Sequence, residues 1–178
     1  MTKIILADDH QLFIEGVRTV LAEEKDITVI ATVNDGIALM EKIESVEVDV
    51  VLLDLNMPKL DGLKSLQQIK EKKPHIKVLI LTNYNQPELV DEVKKLKADG
   101  FMVKNSSASE LREAVLRIIA GEKLFNEGQK SQVLDETSYF FDDFLKKFKL
   151  TRREVDIIRL VCRELSSKQI AAELHLSE

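Results

Sequence analysis

The chain has 178 residues, 44% of them hydrophobic and 32% charged, with a formal net charge of -5 at neutral pH. That is room for one ordinary domain and a smaller one. No apolar run is long enough to span a bilayer, the opening "MTKIILADD" turns acidic too soon for a secretory leader, and a lone cysteine allows no internal disulfide framework, so the expected location is the cytoplasm.

The charge is unevenly spread. Residues 1–143 hold 18 basic and 26 acidic side chains, a charge of -8, whereas residues 144–178 hold 8 basic and 5 acidic, a charge of +3. A tail of opposite sign points to an anionic partner for that end of the chain.

The first element is "KIILADD", a short apolar run closed by two acids. Four similar runs follow in order: "ITVIATV", "VDVVLLDL", "IKVLILT" and "GFMVK". Each is short, rich in Val, Ile or Leu, and does not alternate with polar residues. That is the pattern of strands covered on both faces of a parallel sheet.

Between the runs lie helical spacings. The first holds Leu12, Val17, Val20 and Leu21, and the second Ile37, Leu39, Met40 and Ile43. The third holds Leu63, Leu66 and Ile69, the fourth Leu89, Val90, Val93 and Leu96, and the fifth Leu111, Val115, Leu116 and Ile119. Pro87 suits the first turn of the fourth helix, where its missing N–H costs nothing. Ser107 and Glu110 form a capping box for the fifth, and Gly121 ends it. Strand–helix alternation repeated five times predicts a doubly wound α/β fold around a five-stranded parallel sheet. Its expected span is residues 1–121.

Residues 122–149 read as a linker with a helix, on which Tyr139, Phe140, Phe144 and Phe148 could share one face. Residues 150–178 read as all-α. Thr151 with Glu154, and Ser166 with Gln169, make two further capping boxes. They open "TRREVDIIRLVCREL", where Cys162 lies among Ile158, Val161 and Leu165 as a core residue, and "SKQIAAEL". Two helices joined through Ser166 and Ser167 suggest the first part of a helix-turn-helix.

In an open parallel α/β sheet, ligands bind beyond the carboxyl ends of the strands. Asp8 and Asp9 end the first run, Asp54 the third, Thr82 the fourth and Lys104 the fifth. Three carboxylates on one rim would repel one another unless a cation lay among them. All the obvious donors are oxygens, which favours a hard ion such as Mg²⁺. His10 reads as a helix-start residue, and His75 and His175 as surface turn residues. A carboxylate in such a site can attack phosphorus and form an acyl phosphate, with Lys104 and Thr82 placed to stabilise the phosphoryl oxygens.

These motifs, "ADD", "DLNMPKLDG", "LT" and "FMVK", resemble the receiver domain of two-component response regulators from about Lys3 to Gly121. The resemblance implies a flavodoxin-like receiver fold with Asp54 as phosphoacceptor and a Mg²⁺ site of Asp8, Asp9, Asp54 and the Asn56 carbonyl. It implies that Lys104 contacts the phosphate, that Thr82 and Phe101 form the switch pair, and that Met57, Pro58 and Gly62 shape the loop beside the acceptor. Two positions depart from the family. Asn105 stands where many receivers carry proline, which puts their Lys–Pro cis bond in doubt here. Asn83 stands where the family usually has Ala or Ser, and its larger side chain is expected to slow loss of the phosphoryl group.

The tail, "LTRREVDIIRLVCRELSSKQIAAELHLSE", resembles the start of the LuxR-type helix-turn-helix that closes regulators of the NarL/FixJ class. In that family the following helix reads the DNA major groove. Ser177 would cap it, and the sequence goes no further than Glu178. The expectation is therefore a shortened form of a transcription regulator, without its recognition helix and not competent to bind its DNA site. The resemblance implies a sensor histidine kinase as phosphoryl donor, promoter DNA as target of the full-length protein, and a homodimer on activation.

Two other functions share parts of this pattern. A phosphohydrolase of the haloacid dehalogenase type also uses a strand-end Asp, but wants a second acid two residues on. Asn56 holds that position and cannot shuttle a proton, so an enzyme is not expected. The alternative that remains is a receiver-fold interaction module that works without phosphorylation.

Overall fold

The sheet forms because the apolar segments at its centre bury most of what they carry. The computed structural model describes residues 1–125 together with Ile157, Leu160, Gln169 and Ile170. Its strands are β1 (Thr2–Ala7), β2 (Ile27–Val33), β3 (Val50–Asp54), β4 (Lys77–Thr82), β5 (Gly100–Val103) and β6 (Leu124–Phe125). They lie in the order β2-β1-β3-β4-β5-β6, all parallel. All five residues of the central β3 are buried, whereas β2, at the edge, is mostly half-buried. Five helices alternate with the strands: α1 (Gln11–Leu21), α2 (Gly36–Ser45), α3 (Gly62–Lys72), α4 (Pro87–Lys95) and α5 (Ala108–Ile119).

The sheet has six strands rather than the expected five. The extra strand, β6, is only two residues long and falls at the start of the segment read as linker. Gly121, at φ 92, takes a left-handed conformation that turns the chain out of α5. Leu124 then pairs with Gly100, and Phe125 with Phe101. Lys123 fastens the turn by donating to the Asp99 carboxylate at 2.7 Å and to the Ala98 carbonyl at 3.1 Å.

Helix ends follow the sequence signals. Pro87 is the first residue of α4, and Ser107 and Glu110 form the reciprocal capping box of α5. Helix phase is corrected in two places. The buried stripe of α5 is Leu111, Ala114, Val115 and Ile118, while Leu116 is exposed and Ile119 half-buried. The observed i, i+3, i+4, i+7 spacing keeps one narrow face on the sheet, and Leu116 falls outside it. Ile37, in the first turn of α2, is likewise exposed. The fourth helix is the most lightly seated, with Val93 as its one fully buried residue.

The chain divides into two compact units, Met1–Leu134 and Asp135–Glu178. In the second, Ile157, Leu160, Gln169 and Ile170 are helical, as the two capping boxes lead one to expect, and Leu160 is buried. The aromatic face of residues 139–148, Cys162, His175, Ser177 and the caps at Thr151 and Ser166 lie outside the described residues. Among the described residues, no helix is long and apolar enough to cross a membrane.

Candidate phosphoacceptor site

Parallel strands bring their carboxyl ends to one rim, and the site is built there. Asp8 follows β1, Asp54 is the last residue of β3, Thr82 is the last of β4, and Lys104 follows β5. Asp8, Asp54 and Thr82 are buried, whereas Asp9 is exposed. The backbone locks the rim: Asp8 N–H donates to the Val33 carbonyl at 3.0 Å and Lys104 N–H to the Thr82 carbonyl at 2.8 Å.

Lys104 Nζ lies 2.9 Å from Asp8 Oδ2 and 3.0 Å from Asp54 Oδ2, and its side chain is only 6% exposed. These contacts are close but poorly aligned. Among the described residues, Asp8 Oδ2, Asp54 Oδ2 and Lys104 Nζ are the buried side-chain atoms without a hydrogen bond. Burial, and then the charge of Asp8, push the Asp54 carboxyl above its ordinary range, against the opposing charge of Lys104. A buried carboxylate left with an unused lone pair beside a second one is suited to receive a hard cation or an electrophile. One ligand atom each from Asp8, Asp9, His10 and Asp54 lies within 4.8 Å of the others, so the donor set fits a divalent ion.

His10 has a larger part than its place in the sequence suggests. It is the N-cap residue of α1, as expected for a helix start, but its side chain makes no capping hydrogen bond. Instead Nδ1 lies 3.1 Å from Asp8 Oδ1 and 2.9 Å from Asp9 Oδ1. The hydrogen bond to Asp8 raises the imidazole pKa above its ordinary value. The "DDH" run was the available signal.

The loop after β3 carries the exposed Asn56, the buried Met57, and Pro58. Gly62 N–H donates to the Leu55 carbonyl at 2.9 Å and closes this loop. A Cβ on Gly62 would sit 2.2 Å from the Asp54 carbonyl oxygen, so only glycine fits against the end of β3. A second tie was not legible in the sequence. Lys59, at φ 65, reaches Asp35 Oδ2 at 2.6 Å, and the same carboxylate caps α2 through the Ala38 N–H. Those bonds, the Lys59 one foremost, hold Asp35 below the usual carboxylate range.

On the opposite flank, Thr82 Oγ1 accepts from the Tyr84 N–H at 3.3 Å, and Asn83 is exposed beside it. Phe101, midway along β5, is buried in the cluster that holds Ile80 and Val93. It shares β5 with Val103, which pairs with Thr82. Among the described residues there is no cis peptide bond, and Lys104–Asn105 is trans.

The response regulator receiver domain matches residues 4–116, and the luxR family of bacterial regulatory proteins matches residues 149–178. The chain belongs to the response regulator family, in the class that joins a receiver to a LuxR-type helix-turn-helix. It is 32% identical to the transcriptional regulatory protein DegU of Brevibacillus brevis, over 99% of this chain and 81% of that one. The isolated receiver domain of RcsB from Salmonella enterica serovar Typhimurium, solved with the phosphomimetic BeF₃⁻, superposes with a TM-score of 0.67 at 27% identity, covering 71% of this chain and 94% of the other. A structure of two RcsB dimers bound to two parallel DNAs covers 99% of this chain and 84% of that one, at 25% identity and a TM-score of 0.66.

Proposed function

We propose that Asp54 accepts a phosphoryl group from a sensor histidine kinase and that this controls transcription through the C-terminal helix-turn-helix. The observation that carries the reading is the buried Asp54 carboxylate, flanked by Lys104 and Asp8 and lacking a hydrogen bond on Oδ2. In the transfer, a bond forms between an Asp54 oxygen and phosphorus as the bond from phosphorus to the donor's imidazole nitrogen breaks, and the electron pair leaves with that nitrogen. Lys104 holds its positive charge against the phosphoryl oxygens, and Thr82 can donate its hydroxyl to one of them.

Asp8, Asp9, Asp54 and the Asn56 carbonyl would hold Mg²⁺, whose charge neutralises phosphoryl oxygens when bound. Phosphorylation adds roughly one and a half to two negative charges and three acceptor oxygens. Thr82 then gives up the Tyr84 N–H and turns to the phosphoryl group, and Phe101 follows into the space. The lightly seated α4 is the element this biases, which suits a switch between two packings. In this reading the protein works in the cytoplasm, where kinase and promoter meet it, and pairs with a second copy on activation.

Intact mass after incubation with Mg²⁺ and a small phosphoryl donor tests the reading. One phosphoryl group is expected on the chain and none on Asp54→Ala. No gain on either would leave a receiver-fold interaction module that works without phosphorylation.

A further inference from the structure

We infer that Phe13 is a positioning residue for Lys104: its ring face holds the ammonium in place without using any of its N–H donors. The inference rests on the reading of Asp54 as phosphoacceptor and concerns how the site is kept ready for transfer.

Lys104 Nζ lies 5.0 Å from the centroid of the Phe13 ring, within the range of a cation–π attraction. The ammonium is buried, and a buried charge is costly unless something compensates it. The usual compensation is hydrogen bonding, and Lys70 on α3 shows it: its ammonium donates to the Ile76 carbonyl at 2.7 Å and to Asp99 Oδ2 at 2.5 Å. Lys104 makes no such bond. It is held by two carboxylates at poor angles on one side and by the ring on another.

That difference matters for transfer. An ammonium has three N–H donors and nothing else to offer. A carbonyl partner would occupy one of them and would have to be given up each time a phosphoryl group arrived. A ring face attracts the charge as a whole and needs no N–H aimed at it. The ring therefore holds the nitrogen in place without taking up a donor of its own, leaving the N–H groups to the two carboxylates and to an arriving phosphoryl group, which is the kind of preorganisation that lowers the barrier to phosphoryl transfer. The placement also follows from the chain. Phe13 lies in the first turn of α1, directly after the Asp8–Asp9–His10 run, so one turn of chain sets both the acids and the ring.

With an acyl phosphate as donor, the Asp54 oxygen–phosphorus bond forms, the donor's phosphorus–oxygen bond breaks, and the electron pair leaves as the donor's carboxylate. Lys104 keeps its protons and only turns N–H groups toward the phosphoryl oxygens. The ring takes no part in the bond changes.

The test measures the rate of phosphorylation of the whole chain by acetyl phosphate at saturating Mg²⁺, read by intact mass, with Mg²⁺ affinity measured alongside by calorimetry. Phe13→Leu and the volume-conserving Phe13→Met are expected to be about tenfold slower, with the Mg²⁺ Kd unchanged, and Phe13→Tyr is expected to restore the rate. In a Lys104→Met background, Phe13→Met is expected to make no further difference. Wild-type rates in whichever of Phe13→Leu and Phe13→Met folds would overturn the inference. So would a loss of equal size in the Lys104→Met background, or a Mg²⁺ Kd that weakens as much as the rate falls. A wild-type chain that gains no phosphoryl group would overturn the reading of Asp54 beneath it, and the inference with it.

Discussion

Two lysine–carboxylate clusters occupy opposite ends of the same sheet. At the amino ends of β4, β5 and β6, Asp99 accepts from the Val78 N–H at 2.8 Å, from Lys70 at 2.5 Å and from Lys123 at 2.7 Å. At the carboxyl ends of β1, β3 and β5, Asp8, Asp54 and Lys104 touch at similar distances without a hydrogen bond among the three atoms concerned. The residue types are the same, and Lys70 and Lys104 are buried to a similar depth, 9% and 6% exposed, although Lys123 at the rim of the first cluster is exposed. The difference is satisfaction. The first cluster spends its donors and acceptors on the fold, tying α3, the β4 and β5 starts and the β6 turn together. The second keeps them unspent, which costs stability and leaves them available to a ligand.

The pKa directions agree. Burial alone would raise Asp99, but the hydrogen bonds from Lys123, Lys70 and Val78 outweigh it and hold the carboxyl below its ordinary value. Asp54, with burial as the leading cause and fewer bonds to oppose it, moves the other way. Lys70 is pulled down by burial more than its carboxylate partner lifts it, since it has one carboxylate where Asp99 has two ammonium groups and an N–H.

This contrast can be broken at either end. The largest expected effect is Asp99→Ala, which leaves the buried Lys70 without its counter-charge, the Ile76 carbonyl alone remaining to it, and should cost about 3–5 kcal/mol in urea unfolding. Phosphorylation of the fraction still folded should proceed at the wild-type rate. Next is Lys104→Met, expected to slow phosphorylation by a small donor about 10²-fold or more while circular dichroism stays native. If Lys104→Met instead unfolds the chain and Asp99→Ala does not, the assignment of the two ends is reversed.

Removing the metal is the third handle. At about a hundredfold excess over its Kd, Mg²⁺ should add about 2.7 kcal/mol to stability, and thermal melts of Asp54→Ala should show a clearly smaller gain. The fourth handle is acid. Because the Asp99 carboxyl is depressed in the fold, its contribution is present above the ordinary carboxylate pKa of about 3.9 and is lost as pH falls through the lower folded value. Urea midpoints followed from pH 6 downward should fall more steeply for wild type than for Asp99→Ala; parallel profiles would remove Asp99 from the account. The smallest effect belongs to Asn83→Ala. Opening the approach beside Thr82 should speed loss of the phosphoryl group by less than about tenfold, read by the decay of the phosphorylated mass, and an unchanged decay would mean that Asn83 does not screen Asp54.

Much of this was legible beforehand, and the reasons are local. Runs such as "VVLLD" admit no solvent face, so a buried parallel strand was the one assignment open to them. The rim residues Asp8, Asp54, Thr82 and Lys104 stand at strand ends, where topology alone brings them together. Other features left no mark. The phase of α5 is not written in the sequence, because Leu116 and Ile118 are equally apolar and only contact with the sheet chooses between them. The two residues of β6 carry no strand signal; they pair because β5 offers an open edge and Gly121 turns the chain toward it.

The sequence by itself therefore determined the order of elements, the parallel sheet and the set of residues on its reactive rim, since apolar run length, capping residues and strand-end chemistry are all written within a few positions of one another. The tertiary structure alone decided the Lys59–Asp35 tie, the Phe13 ring beside Lys104, and which of two lysine–carboxylate clusters is satisfied. Those depend on angles and distances between residues far apart in the chain, and a hydrogen bond is lost through a misaligned donor that no sequence pattern records.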